Sequence, residues 1–168
     1  MKIAIISDIH DNLPNLKACL NWCEQNNIDT AICCGDVTNS ETLEIMAVFF
    51  TGGFYLVGGN MEIYDESEIK LYRNIIYKGR AGGIANSGGK KFGFCHEPLY
   101  INDILKQCEL VENCRIIFYG HTHQPWEYSR QGIRIINPGT VAGTFSRATF
   151  AVWNTESGKT ELKLIEAL

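Results

Sequence analysis

The sequence predicts an α/β fold in which helices flank packed, mixed sheets within one domain of 168 residues. Three observations support this fold class. Short apolar runs rich in β-branched and aromatic residues alternate with helix-like stretches in the first half of the chain, whereas the second half is rich in strands and glycine turns. Hydrophobic residues make up 45% of the chain, charged residues 20%, and the mean hydropathy is −0.08. This composition suffices for one buried core and excludes a disordered chain.

Strand and helix alternate from the start of the chain. Ile3–Ile6 is a β-branched run that predicts a strand. Pro14 suits a first helical turn and Asn26-Asn27 a helix end, so a helix is predicted from Pro14 to about Asn26, with Asn12 or Leu13 in the cap region. The next predicted elements are a strand Ala31–Cys34, a helix from about Glu41 to Phe50, a strand Phe54–Val57 and a helix around Glu66–Ile76.

Tight turns mark the second half of the chain, at Gly82-Gly83, Gly88-Gly89, Gln131-Gly132 and Ser157-Gly158. Between them lie the runs that predict the remaining elements: a strand Phe92–Cys95, a helix near Ile101–Leu110, a strand Ile116–Tyr119 and further strands from Trp126 onward.

Composition also narrows the function. The 15 basic and 19 acidic residues give a net charge of −4, which opposes a broad nucleic-acid surface. No apolar run approaches the roughly 18 residues of a membrane span, and the run Met1–Ile6 stops at Ser7-Asp8, unlike a signal peptide. We therefore expect a cytoplasmic protein without membrane contact. The 7 cysteines, an odd number without a C-x-x-C pair, predict buried thiols instead of disulfides.

Five predicted strands deliver an aspartate, asparagine or histidine just past the carboxyl end. The segments are Ser7-Asp8-Ile9-His10, Gly35-Asp36, Gly58-Gly59-Asn60, His96 and Gly120-His121-Thr122-His123, and they contain all 4 histidines of the chain. Ligands bind at this edge of α/β sheets because the loops there converge on a crevice. Imidazole and carboxylate groups suit Zn, Mn, Fe, Co or Ni, and these ligand-type residues exceed what one tetrahedral ion uses. The pattern therefore predicts two ions that share a carboxylate.

The spacing within the segments indicates how the ions would be held. A strand-like continuation of Asp8-x-His10 points both side chains to the same side, so that they can hold one ion. His121-x-His123, bent by Gly120, can serve one ion or two adjacent ions. Asp36 stands alone in the sequence and is our choice for the bridge, with one oxygen on each ion and the ions about 3.5–4 Å apart.

This ordered set of segments resembles the calcineurin-like metallophosphoesterases. The chain length and Asn137-Pro138-Gly139-Thr140 are similar to the small YfcE-type phosphodiesterase branch. The resemblance covers essentially the whole chain and implies a single metallophosphoesterase domain over residues 1–168. It implies a four-layer α-β-β-α sandwich, with two mixed β-sheets flanked by helices.

The resemblance also implies roles for individual residues. One metal ion would be held by Asp8, His10, Asp36 and His123, and a second by Asp36, Asn60, His96 and His121. Asp36, His96 and His121 are our candidates for the catalytic residues, and Asn12 and Asn60 for substrate binding. For Asn12, a helix cap is an equal alternative. The cofactor is expected to be two divalent ions, with Mn as the first candidate and Ni, Co, Zn or Fe as alternatives.

The implied activity is hydrolysis of a small phosphodiester, with nucleotides among the candidates, by a hydroxide that bridges the two ions. Met61 occupies the position where many superfamily members carry a histidine thought to assist the leaving group, which disfavours a phosphomonoesterase. Glu62 can replace that donor or be an exposed carboxylate at a helix start. The alternatives are a phosphomonoesterase and a non-catalytic protein-binding scaffold of the same fold. The sequence is compatible with a homo-oligomer.

Overall fold

Two mixed β-sheets form the centre of the computed structural model, which describes residues 1–168. The strands are β1 (Lys2–Ile6), β2 (Thr30–Cys33), β3 (Gly53–Leu56), β4 (Ile75–Tyr77), β5 (Gly83–Ser87), β6 (Lys90–Phe94), β7 (Ile116–Phe118), β8 (Trp126–Arg130), β9 (Ile133–Asn137), β10 (Thr149–Asn154) and β11 (Thr160–Leu164). The α-helices are α1 (Leu13–Gln25), α2 (Ser40–Phe49), α3 (Glu66–Ile69) and α4 (Ile101–Leu110).

The two sheets differ in how their parallel strands are bordered. The first sheet has the strand order β11-β10-β1-β2-β3-β4, in which β1 to β4 are parallel, β10 is antiparallel to β1, and β11 is antiparallel to β10. The second has the order β5-β6-β7-β9-β8, with a parallel centre of β6, β7 and β9 and an antiparallel strand at each edge. All the predicted ligands follow strands of these parallel sets, namely β1, β2 and β3 in the first sheet and β6 and β7 in the second.

Alternation along β1 separates two apolar cores. Ile3 and Ile5 lie in the core between the two sheets, whereas Ala4 and Ile6 belong to the core beneath α1 and α2. On the far side, α4 packs onto the second sheet through residues that include Ile104. The resulting order of helix, sheet, sheet and helix confirms the four-layer α-β-β-α sandwich.

The predicted helix around Glu66–Ile76 is wrong in its second half. The helix ends at Ile69, and Ile75–Tyr77 forms β4, which pairs in parallel with Phe54–Leu56. Two adjacent β-branched isoleucines favour this sheet edge over a helix. Asn74 fixes the approach to β4, because its side-chain amide donates hydrogen bonds of 2.7 and 3.0 Å to carbonyls at the end of α2.

The other predicted strands and helices are present, with ends close to the predicted ones. The cysteines are buried and none forms a disulfide, as the sequence predicts. None of the helices has the length and apolar character that a membrane crossing requires.

Candidate metal centre

The side chains predicted to bind metal converge in the loops that follow β1, β2, β3, β6 and β7. The first group has donor atoms that all lie within 4.8 Å of one another, and it consists of Asp8, His10, Asp36 and His123. This is the first ligand set that the family resemblance implies, assembled from both sheets.

A second group forms around the side chain of Asn60. Its Oδ1 lies 2.9 Å from His96 Nε2 and 2.9 Å from His121 Nδ1. Asp36 faces both groups, since its Oδ2 lies 3.4 Å from His96 Nε2 and 3.5 Å from His10 Nε2. The other oxygen, Oδ1, accepts a 2.8 Å hydrogen bond from the backbone N–H of residue 61. A single carboxylate oxygen therefore faces both groups, instead of one oxygen for each as expected from the sequence.

Left-handed backbone conformations aim these side chains at the centre. The φ angles are 53° at Asp8, 44° at His10, 54° at Asp36, 69° at His121 and 58° at His123. The predicted strand-like continuation through Asp8-x-His10 is therefore wrong, although both side chains do join one group. Each such conformation costs on the order of 1–3 kcal/mol at a residue other than glycine. Strain of this kind is retained where function requires it.

His96 is fully buried and its ring is fixed by a backbone carbonyl. Its Nδ1 lies 2.6 Å from the carbonyl oxygen of Cys34, so that Nδ1 carries the proton and the Nε2 lone pair points into the centre. Burial lowers the pKa of His96, but the hydrogen bond that the protonated ring forms to Asp36 and the charge of that carboxylate outweigh burial and raise it.

His123 is oriented in the same way on the other side of the centre. Its Nδ1 lies 3.0 Å from the carbonyl oxygen of Thr144, and its Nε2 faces Asp8 Oδ1 at 3.3 Å and His10 Nε2 at 3.2 Å. The hydrogen bond to Asp8 raises the pKa of His123. Asp8 itself is fully buried and accepts hydrogen bonds from the backbone N–H of His121. In both His96 and His123, Nδ1 is therefore held by a backbone carbonyl, and Nε2 is the nitrogen that can bind an ion.

The donor set fits a divalent cation because atoms that can only accept hydrogen bonds face one another. The Nε2 lone pair of His96 is directed at two oxygen atoms, Asn60 Oδ1 and Asp36 Oδ2, and none of these three atoms has a proton to share when the ring is neutral. Burial raises the pKa of Asp36, but the hydrogen bond to a protonated His96 and the charge of that ring have a larger opposite effect. The net pKa is lowered, so the carboxyl stays ionised. A positive charge is needed between these groups, and imidazole, carboxylate and amide oxygen suit transition-metal ions.

Two glycines allow the loops to approach one another this closely. Gly35 has φ of 93°, and a β-carbon there would lie 2.7 Å from His96 Nδ1. A β-carbon on Gly59 would overlap the carboxylate and the backbone nitrogen of Asp36. Glycine before Asp36 and before Asn60 is thus required by close packing around the ligands.

Both the oxygen and the nitrogen of the Asn12 side-chain amide form hydrogen bonds within the protein. Its Oδ1 accepts a 3.2 Å hydrogen bond from the backbone N–H of Asn15, which caps α1, and its Nδ2 donates a 2.9 Å hydrogen bond to the carbonyl of Ala142. The helix-cap alternative is confirmed. Contact between Asn12 and a substrate phosphate stays a prediction, for which one amide hydrogen is left.

Glu62 has a role that neither sequence-based alternative describes. Its carboxylate accepts hydrogen bonds of 2.8 Å from the backbone N–H of Thr38 and 2.9 Å from that of Gly59. It therefore ties the loop that carries Asp36 to the loop that carries Asn60. The contact joins segments that are far apart in sequence, and the available signal was only an acidic residue placed two positions after Asn60.

Glu62→Gln is expected to lower metal affinity about 10–100-fold, because an amide presents an N–H group to at least one of the backbone donors, which are Val37, Thr38 and Gly59, and loosens the loops. Equilibrium dialysis with Mn²⁺ measures this effect. Glu97→Gln is the matched control: Glu97 follows His96, its side chain forms no hydrogen bond, and the variant should bind Mn²⁺ as the wild type does. Unchanged affinity in Glu62→Gln would contradict the assigned role.

Comparison with known proteins agrees with this geometry. Residues 1–158 match the model of the calcineurin-like phosphoesterase superfamily domain. Phosphodiesterase MJ0936 of Methanocaldococcus jannaschii is 26% identical over 165 residues, which cover 93% of this chain and 94% of that protein.

Solved structures show the same fold. An archaeal phosphodiesterase superposes with a TM-score of 0.83 at 22% identity, covering 98% of this chain and 99% of that chain. The phosphoesterase YfcE of E. coli superposes with a TM-score of 0.66 at 20% identity, covering 98% and 100%. The predicted similarity to small phosphoesterases of the YfcE type is confirmed. Because the family model spans nearly the whole sequence, the chain belongs to the calcineurin-like phosphoesterase superfamily.

Proposed function

We propose that this protein is a phosphodiesterase whose active site contains two divalent metal ions. The observation that carries the proposal is that two groups of donor atoms meet at one oxygen, Asp36 Oδ2, which lies 3.5 Å from His10 Nε2 in the first group and 3.4 Å from His96 Nε2 in the second. Asp8 and His123 would complete the first ligand set, and the second would be completed by Asn60 and His121. We propose Mn²⁺ as the resident ion.

Bound divalent ions supply Lewis acidity, which lowers the pKa of coordinated water and stabilises charge on phosphoryl oxygens. The chain's own residues hold this chemistry in place. His96 and His123 are locked by backbone carbonyls, so their rings do not rotate away from the centre. The neutral amide of Asn60 limits the negative charge of the ligand set, which favours an anionic ester at the centre.

The residues beside the centre favour a diester substrate with a good leaving group. Met61, 51% exposed, follows Asn60 and has no proton to donate to the departing oxygen. The carboxylate of Glu62 is already hydrogen-bonded to backbone N–H groups and is not free to replace the missing acid. Without general acid assistance, commonly worth about 10²–10⁴-fold, a poorly leaving alkoxide is expelled slowly.

Two further expectations belong to this proposal. We propose that residues 1–168 form one catalytic domain, since β11 at the end of the chain completes the sheet that β1 begins. The free, buried thiols suit a reducing compartment, so we propose the cytoplasm as the place of action.

The decisive experiment combines metal counting with turnover. Chelator-treated protein is reloaded with Mn²⁺, Ni²⁺, Co²⁺, Zn²⁺ or Mg²⁺ separately, bound metal is counted by elemental analysis, and hydrolysis of bis-p-nitrophenyl phosphate is measured. We expect two ions per chain, turnover that depends on them, and faster hydrolysis of this diester than of p-nitrophenyl phosphate. Asn60→Ala and His123→Ala remove a ligand from different groups, so each should retain one tightly bound ion.

The outcomes separate the alternatives. One ion per fully active chain would contradict the dinuclear site. A preference for p-nitrophenyl phosphate would favour a phosphomonoesterase. Two bound ions without turnover of either ester would favour the protein-binding scaffold.

A further inference from the structure

Phe145 lies beside the metal centre with its ring almost entirely in solvent. The side chain is 95% exposed, more than any other large apolar side chain of the protein. Its ring centroid is 5.7 Å from that of His123, and the two ring planes are inclined by 52°. Single exposed apolar residues are common on protein surfaces. This ring, however, lies against a residue of the first ligand group.

The backbone of Phe145 is strained in a way that packing does not explain. Its φ angle is 63°, a left-handed conformation that bulky residues rarely adopt. Burial of the ring cannot repay that strain, because the ring is exposed. Strained residues of this kind concentrate at functional sites.

The loop before the ring is held firmly against the centre. The carbonyl of Thr144 is hydrogen-bonded to His123 Nδ1 at 3.0 Å. Two residues earlier, the carbonyl of Ala142 accepts the 2.9 Å hydrogen bond from Asn12 Nδ2. The same contacts that orient His123 and involve the cap residue of α1 therefore also anchor the backbone next to Phe145. His123 is its only aromatic neighbour, and the rest of the ring is open to solvent.

We propose that Phe145 forms an aromatic subsite, on which a planar aromatic group of the substrate stacks while the phosphate occupies the metal centre. This inference rests on the proposed function and defines its substrate class as esters that carry a nucleobase or an aryl group. The Phe145 ring is a direct neighbour of His123, which belongs to the first ligand group. A group stacked on Phe145 would therefore lie close to a phosphate bound at the metal centre. Every nucleobase offers such a π-face, so the subsite selects for aromatic character and not for one base.

Binding to the Mn²⁺-loaded full chain tests the subsite independently of turnover. Isothermal titration calorimetry is performed with adenosine 5′-monophosphate, phenyl phosphate and ribose 5-phosphate, which share a phosphate and differ in the aromatic group. The wild type is expected to bind the two aromatic phosphates about 5–100-fold more tightly than ribose 5-phosphate. This preference should disappear in Phe145→Leu, which keeps the apolar bulk, and persist in Phe145→Trp. Leu110→Ala, at an 88% exposed position at the far end of α4, should retain the preference.

The outcomes are distinct from those that test the activity. Equal affinity of the wild type for all three phosphates, with metal-dependent hydrolysis of bis-p-nitrophenyl phosphate intact, would overturn the subsite and leave the proposed function standing. A preference that survives in Phe145→Leu would also overturn it. Failure of all three ligands to bind, together with absent turnover, would overturn both. Preference for adenosine 5′-monophosphate alone would assign the subsite to a nucleobase, and equal preference for phenyl phosphate would assign it to aromatic groups in general.

Discussion

Asp36→Asn is expected to lower Mn²⁺ affinity more than 100-fold and to abolish measurable hydrolysis of bis-p-nitrophenyl phosphate. Groups that merely orient a ligand commonly contribute 10–100-fold to metal affinity or activity, and the proposed bridge should contribute more. The substitution keeps the shape of the side chain but removes its negative charge. It also places an amide where a carboxylate now faces the histidines of both groups.

The effect follows from the position of one oxygen atom. Asp36 Oδ2 faces His10 and His96, while Oδ1 is hydrogen-bonded to the backbone N–H of Met61. If the amide oxygen of an asparagine takes that N–H, its NH₂ group points at both imidazoles. The hydrogens then occupy the place of an ion, and both ligand groups are weakened together. Loss of both ions distinguishes this variant from Asn60→Ala and His123→Ala, which are expected to lose one.

Asp103→Asn provides the matched control. This carboxylate lies on α4 and forms an exposed ion pair with Lys106, 3.1 Å away. Its substitution should leave metal content and turnover unchanged, because exposed pairs contribute little to stability. Thermal unfolding monitored by circular dichroism verifies that Asp36→Asn remains folded. Two tightly bound ions and normal turnover in Asp36→Asn would contradict its role as the bridge.

The sequence predicts well which side chains meet at the candidate metal centre, because each of them lies just past the end of a recognisable strand. A parallel strand has a clear apolar signature, and the glycines before Asp36, Asn60 and His121 mark where it ends. Once the strands share a sheet edge, their polar ends must meet. The left-handed turns at Asp8 and His10 are not predictable in this way, because an extended chain also explains the spacing.

The features that sequence analysis misses depend on contacts between distant segments. Glu62 looks like either a proton donor or a solvent-exposed carboxylate until the backbone N–H groups of Thr38 and Gly59 are seen around it. The strand Ile75–Tyr77 forms because an edge of the first sheet is available beside β3. Phe145 has no local signal, since neither its exposure nor the nearness of His123 can be read from neighbouring residues.

Phe92→Ala is expected to lower the free energy of unfolding by about 3–5 kcal/mol. Phe92 is fully buried in the core between the sheets. Its ring centroid lies 5.1 Å from that of Tyr55, 5.8 Å from that of Trp153 and 6.4 Å from that of Phe118. Truncation loses apolar burial and aromatic contacts with both sheets, and the rigid neighbours leave a cavity. The midpoint of urea unfolding, followed by circular dichroism of metal-free protein, measures the loss.

Phe145→Ala is the same chemical change at an exposed site, and it should change the free energy of unfolding by less than about 0.5 kcal/mol. Equal destabilisation by the two variants would contradict the assigned core.

The stability of the core is also linked to the metal centre, because the inter-sheet core aligns two sheets that each contribute proposed ligands. Ions that bind only the folded chain stabilise it by about 2.7 kcal/mol at a concentration 100 times the Kd. Mn²⁺ should therefore restore much of the stability lost in Phe92→Ala when the truncated core still holds the two sheets in register. In a double variant that carries both Phe92→Ala and Asp36→Asn, Mn²⁺ should restore little of the lost stability.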